Sequence, residues 1–279
     1  MALQKPTRLR LFLTVELPVA AIILFAIAPY VWMFITSIKP EEELFTAQVQ
    51  YWTDHPTIAN YERLFAHTSF LGNMLDSLIV ACGTVIVGLG LSITAAYAFS
   101  RFRFPGRRYL MLQFLVINMF PIVLLIIPLF VIMKNLGLLD TFPGLIIAHS
   151  TFSIPFATWM MTSYMNAIPM SLDESAMTDG CSRAGALWRV VLPLCKPGVA
   201  ATGIYIFITS WNEYLYALTL AGQEVRTITV AIQTLIGEFE IAWGLLTAGG
   251  VTGALPATVL FMLVQRHLIS GLTQGAVKG

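Results

Sequence analysis

One carboxylate stands out by its surroundings. Glu213 lies inside the apolar stretch 197–220, and an ionisable group at membrane depth marks a functional position by default. The competing reading puts it near the end of that stretch, paired with Asn212, a backbone group or another subunit. Asn118, His149, Trp159, Asn212, Tyr214 and Tyr216 fall in this and two other apolar stretches of the chain. Their amides, hydroxyls and aromatic faces are the types that hold a neutral, hydroxyl-rich molecule, although Trp and Tyr are equally ordinary at a membrane interface. A second group of polar residues lies in the segment 165–196. Ser171-Leu172-Asp173-Glu174 has capping-box spacing, in which Ser171 accepts from the Glu174 amide and the Glu174 carboxylate reaches back. Carboxylates at 173 and 174 also suit the positive end of a helix dipole. Leu172, Ala176 and Met177 then share one face, Gly180 interrupts the helix, and Ser182 caps a second one. That second helix carries Leu187, Val190 and Val191 on its apolar side and ends at Leu192-Pro193.

Other chemistry is not legible. No Gly-rich loop ends in Gly-Lys-Ser/Thr, so no phosphate cradle of that kind is present. The four histidines, His55, His67, His149 and His267, lack metal-ligand spacing, and Cys82, Cys181 and Cys195 define neither a disulfide framework nor a metal site.

The elements that must position these residues are membrane helices. Hydrophobic residues make up 57% of the 279-residue chain and charged residues 11%, about half the charge of an average soluble domain. A net charge of +1 gives no reason to expect nucleic acid. Short alternating segments, the mark of a membrane barrel, are absent. Some twenty apolar residues cross a bilayer, and six stretches qualify: 11–38, 75–99, 109–133, 142–164, 197–220 and 241–264. The first is too long for a secretory signal and is expected to be a retained helix. Prolines 18, 29, 121, 128, 155 and 256 are expected to kink helices whose neighbours satisfy the freed carbonyls. Lys5, Arg8, Arg10, Arg101, Arg103, Arg107, Arg108, Arg183, Arg189, Lys196, Arg266 and Lys278 fall on one side of this arrangement. Lys39, Arg63, Lys134 and Arg226 fall on the other, so the first side is cytoplasmic and both termini are inside. Acidic residues, Asp140, Glu238 and Glu240 among them, gather on the outer side. One membrane domain follows, with a long inner loop at 165–196. A short amphipathic pair of helices there is either an interfacial element lying on lipid headgroups or a knob presented to a partner.

The spacing in that loop resembles a family signature. Glu174-Ser175-Ala176, three residues, Gly180, nine residues, Val190, one residue and Leu192-Pro193 are similar to the EAA motif of ABC importer permeases, departing from it at Ser175 and Val190. The resemblance covers nearly the whole chain and is strongest to carbohydrate permeases of the maltose/trehalose type. Asn60-Tyr61, Pro121 with Pro128, Ile168-Pro169 and Trp211-Asn212-Glu213 match as well. Asp76-Ser77-Leu78 stands where the family has Asn-Ser-Leu. The resemblance implies an all-α integral membrane protein of the type I importer permease fold, in a bacterial inner membrane. It implies pairing with a second related permease, two cytoplasmic ATPases that bind ATP and magnesium, and an external sugar-binding protein. The chain itself would hold no cofactor, metal or ATPase site. Ser171, Asp173, Glu174, Ser175, Ala176, Gly180, Leu187, Leu192 and Pro193 would couple to the ATPase. Asn118, Trp159, Asn212, Glu213 and Tyr214 would line the solute path, for a disaccharide or oligosaccharide. An ABC permease for a non-sugar solute, an ion-coupled secondary transporter and a non-catalytic membrane scaffold are the alternatives.

Overall fold

The computed structural model describes residues 8–46, 48–237 and 241–276. Lys5, Lys278, Glu238 and Glu240, used above for sidedness, lie outside the described residues. Two compact units emerge, one made of residues up to Phe70 with Thr234–Ala254, the other of Leu71–Gln233 with Leu255 onward.

In the first unit, a π-helical turn at Phe12–Glu16 leads into α1 (Leu17–Ser37), with Pro29 inside the helix. Its side chains are exposed around the whole circumference: Phe25 is 85% exposed and Leu24 70%. Only Ile35, Thr36 and Ser37 are buried. An all-apolar helix of this kind belongs in lipid or against another membrane helix. Its last carbonyls are satisfied by α2 (Ala59–His67), from which the Asn60 amide donates to Ser37 O at 2.9 Å and Lys39 O at 2.8 Å. The Tyr61 hydroxyl lies 2.7 Å from that of Ser37. Thus Asn60-Tyr61 acts as a side-chain cap for the open C-terminal end of a span.

In the second unit, α3 (Phe70–Arg101) is unbroken for 32 residues. The expected third span is instead two helices, α4 (Arg107–Met119) and α5 (Ile122–Asn135), meeting at 100°. Proline disfavours helical backbone in the residue before it. Phe120 is accordingly extended, with ψ 133°, and Pro121 starts a new helix rather than kinking an old one. At 1.5 Å per residue each limb is roughly 20 Å long, short of the ~30 Å hydrocarbon core. Pro128, Pro155 and Pro256 do sit inside helices.

The next helix, α6 (Phe142–Asn166), is central. Thr141 caps it by accepting from the Gly144 amide at 3.2 Å. It buries His149, Ser150, Ser153, Thr158 and Thr162, a polar face that an average over the segment conceals. After it come α7 (Met170–Thr178), α8 (Arg183–Leu194), α9 (Lys196–Trp211), α10 (Leu215–Leu220), α11 (Ile228–Thr234) and α12 (Trp243–Ala276). Near one end of α6, Ile93, Ala96 and Tyr97 of α3 and Met161 and Met165 of α6 pack against Leu187, Val191 and Cys195. Near the other, Val80, Met133, Leu145, Ala148, Tyr216 and Leu220 form a separate core. Among the described residues there is no β-strand, only an isolated bridge between Ile236 and Ile241.

Candidate functional site: the loop between α6 and α9 and the break after α9

The inner loop folds as two helices with a sharp bend. Helix α7 ends in a Schellman motif: Cys181 N donates to Ala176 O at 2.9 Å and Gly180 N to Met177 O at 3.1 Å. Gly180 has φ +89° with nothing within 4 Å of where a Cβ would stand, so the position excludes side chains by backbone angle, not by space. Ser182 caps α8 as expected, accepting from the Gly185 amide at 3.1 Å. Helix α8 turns into α9 at 84°.

Two expectations for this loop need correction. The capping box at Ser171–Glu174 does not form. Pro169 is the cap residue and Met170 the first helical residue, so Ser171 is already inside the helix and makes no capping bond. Proline, with its fixed φ, starts the helix two residues before the sequence pattern would. The second helix does not stop at Leu192-Pro193 but runs on to Leu194. Leu187–Val191 is a π-helical turn, with Leu192 N bonded to Leu187 O, and this widened turn absorbs the proline's missing N–H.

With that register, Asp173 points inward. Its carboxylate lies 3.0 Å from the Arg101 guanidinium, with side chains only 4% and 7% exposed. It also accepts from the Tyr97 hydroxyl at 3.1 Å. Arg101 donates to Ile168 O at 3.2 Å, and Ser100 donates to Asn166 Oδ1 at 2.8 Å. The guanidinium of Arg183 sits 4.8 Å over the Phe102 ring. The loop is therefore bolted to the end of α3 through a buried ion pair. Ala176 and Leu187 are buried in this seat, whereas Glu174 and Ser175 are exposed beside Met170 and Leu172. Arg101 was legible only as a positive-side charge; its partner on α7 was not.

The second constellation surrounds Glu213. The expected fifth span is interrupted: α9 ends at Trp211, and Asn212, Glu213 and Tyr214 make a break before α10. The Glu213 carboxylate accepts from the amides of Tyr216 at 2.9 Å and Ala217 at 3.1 Å, binding the unpaired donors at the start of α10. His149 Nε2 lies 3.3 Å from the same carboxylate, and its Nδ1 is 2.7 Å from the Ser210 hydroxyl. Ser210 in turn donates to Thr84 at 3.4 Å. A buried polar chain thus runs from α3 through α9 to α6 and the break.

Of the other solute-path candidates, Asn212 and Tyr214 flank Glu213, with Asn212 exposed and Tyr214 half-buried. Trp159 stacks on Phe156 with centroids 5.7 Å apart, ten residues along α6 from His149 and so roughly 15 Å away. Asn118 is exposed at the end of α4, its amide donating to Phe114 O at 3.0 Å. The structure unites Asn212, Glu213 and Tyr214 at one break and leaves Trp159 and Asn118 on other elements. Tyr216 is fully buried against Phe152, 5.3 Å between centroids.

A further carboxylate was missed as a site. Asp140, in the turn between α5 and α6, has φ +56°. Its carboxylate accepts from four successive amides, Gly222 at 2.8 Å, Gln223 at 2.9 Å, Glu224 at 3.1 Å and Val225 at 3.0 Å. Burial alone would raise its pKa; the four amide donors outweigh that and hold it below the usual carboxylate range. A Cβ at Gly222 would fall 2.5 Å from this carboxylate. Asp76, the departure noted above, accepts from the Arg226 amide at 3.1 Å, and Ser77 from that of Ile228 at 2.7 Å. The loop after α10 is thereby held at both ends, and an aspartate at 76 fills the acceptor role.

Long apolar helices, broken spans and an inner loop bent at a left-handed glycine together define a polytopic α-helical membrane protein. The chain belongs to the binding-protein-dependent transport system inner membrane component family, whose model matches residues 88–274. It is 37% identical over 252 residues to the sulfoquinovosyl glycerol transport system permease protein SmoH of Agrobacterium fabrum, covering 90% of this chain and 88% of that one. It is 35% identical over 258 residues to the trehalose transport system permease protein SugB of Mycobacterium tuberculosis, covering 91% and 93%. The fold matches a chain in the crystal structure of a bacterial ABC transporter that imports the acidic polysaccharide alginate, with TM-score 0.80, 24% identity, and 95% and 99% coverage.

Proposed function

We propose that this chain is the permease subunit of an ATP-driven importer that moves a sugar, a disaccharide or oligosaccharide, into the cell by alternating access. The observation that carries the reading is the inner loop. Its EAA-like residues fold into a helix, a Schellman bend at Gly180 and a second helix, seated on α3 by the Asp173–Arg101 pair. Such a loop transmits force because it cannot slide on its seat. The exposed face bearing Ser171, Glu174 and Ser175 is the one offered to the ATPase, and Ala176, Gly180, Leu187, Leu192 and Pro193 hold its shape. The relatives named for sulfoquinovosyl glycerol and trehalose transport support a glycoside as the solute. Asn212 and Tyr214 at the break, with Asn118 on α4, supply amides and an aromatic face for it. Glu213 holds the break open, its carboxylate already engaged by backbone and His149.

On this reading ATP and magnesium are bound by two separate cytoplasmic ATPases, and a second related permease completes the pore. An extracytoplasmic sugar-binding protein delivers the solute, and the chain has no hydrolase site of its own. The arginine-rich loops and both termini face the cytoplasm, and the chain works as one membrane domain. The test is uptake of radiolabelled glycosides into vesicles holding this chain with its partner permease, ATPases and binding protein. ATP-dependent accumulation of a sugar is expected. Uptake driven by a proton or sodium gradient without ATP would overturn the reading.

A further inference from the structure

A cleft of about 700 Å³ opens between α4 and α6. At one end it is lined by Arg107 and Arg108, with Asn166 across from them on α6. Deeper in, the α4 wall turns apolar through Met111, Leu112 and Leu115, and Trp159 forms the wall opposite. Eight residues separate Arg107 from Leu115 and seven separate Asn166 from Trp159, so the polarity changes over roughly 10–12 Å. No Asp or Glu lines the cleft, and among the described residues neither arginine takes part in an ion pair. Trp159 and Tyr109 are 39% and 78% exposed.

We propose that this cleft binds an anionic phospholipid of the cytoplasmic leaflet, its phosphodiester against Arg107 and Arg108 and its acyl chains along Met111, Leu112 and Leu115. The grading decides the class. A sugar needs hydrogen-bonding groups along its whole length, and here they are confined to one end. The Ser163 hydroxyl spends its hydrogen on Trp159 O at 3.1 Å and offers the cleft acceptor lone pairs only. A phospholipid needs cations at the surface, an amphipathic ring at ester depth and an apolar wall below, in that order. Asn166 lines the cleft with its carbonyl oxygen engaged by Ser100, so its amide nitrogen is the group it can offer a phosphate oxygen. The proposal rests on the cytoplasmic placement of Arg103–Tyr109 given above.

The test uses the purified importer in detergent and follows tryptophan fluorescence with brominated phosphatidylglycerol or brominated phosphatidylcholine. The quenching removed by Trp159→Phe isolates the signal from this cleft. Two cations at about 1 kcal/mol each correspond to roughly thirtyfold preference for the anionic lipid, and that preference is expected to collapse in Arg107→Gln/Arg108→Gln. Equal quenching by both lipids, or a preference unchanged in the double variant, would overturn the proposal. Displacement of the lipid by millimolar inorganic phosphate would also overturn it, by showing a site for free anion. Should the double variant fail to fold, titration of the unmodified importer with salt keeps the question open to refutation, since quenching by the anionic lipid that is indifferent to salt counts against the arginines. Cysteine labelling at position 103 tests sidedness separately, and detergent binding is read without reference to it.

Discussion

Removing one partner of the Asp173–Arg101 pair should uncouple the importer, and removing both should largely repair it. Arg101→Met leaves a carboxylate that is 4% exposed with the Tyr97 hydroxyl as its remaining partner. Stranding one member of a buried pair costs about 3–5 kcal/mol. At 3 kcal/mol the ratio of seated to unseated loop falls more than a hundredfold, since each 1.4 kcal/mol is a factor of ten. Replacing both by apolar side chains of similar volume is close to neutral, so Arg101→Met/Asp173→Leu should regain most of the loss. The assay measures proteolytic cleavage of the 165–196 loop in membranes, then solute-stimulated ATP hydrolysis in reconstituted vesicles. The single variants should be cleaved fast and hydrolyse without stimulation, with protein still in the membrane. Loss in the double variant as deep as in the singles would mean the charges act directly on the ATPase, and the seating argument would fail.

Four other outcomes follow. Gly180→Val should lower ATPase co-purification strongly and Gly180→Asn less, because the cost of φ +89° is about 1–2 kcal/mol for an ordinary side chain and smaller for Asn; equal effects would point to steric contact instead. Glu213→Gln should reduce the maximal uptake rate without loss from the membrane, since one amide-facing oxygen survives and the charge beside His149 does not; unchanged uptake kinetics would leave Glu213 a packing residue. Asp140→Asn turns an NH2 group toward amide donors and should lower the stability at pH 7 by on the order of 1 kcal/mol, read as a lower melting temperature. Its folded pKa is depressed, so the stabilisation is present above the unfolded value near 4 and is lost as pH falls through the lower folded value; the two proteins should converge in acid, and a gap that widens there would contradict the assignment. Cysteines at 103 and 180 should react only from inside and those at 52 and 223 from outside, and external labelling of position 180 in intact cells would reject the sidedness.

Local chemistry was the legible part. Gly180 and Ser182 announce a helix end and a helix start by residue type alone, and both do what their types require. The apolar runs place α1, α3 and α12, and Pro29, Pro128 and Pro256 lie inside helices. What escaped is non-local. Nothing in the spacing of Asp140 marks it as the acceptor for four amides some eighty residues away, and nothing pairs Arg101 with Asp173. The misplaced cap at Ser171 has a different cause. Two start signals, a proline at 169 and a serine at 171, compete within one turn, and the proline wins because its φ is already helical. Breaks at Phe120 and Glu213 likewise depend on which neighbour can take the freed backbone groups. Hydropathy averages over that choice.

The Asp140 carboxylate also sets how the loop after α10 opens in time. Four consecutive amides, 222 to 225, share one acceptor group. None can exchange its hydrogen with water while the group stays seated, and all become free once it leaves. The segment therefore behaves as a single cooperative unit rather than a fraying strand of independent bonds. Its four amides are expected to exchange at one common rate at neutral pH and to scatter into separate, faster rates where the carboxylate is protonated.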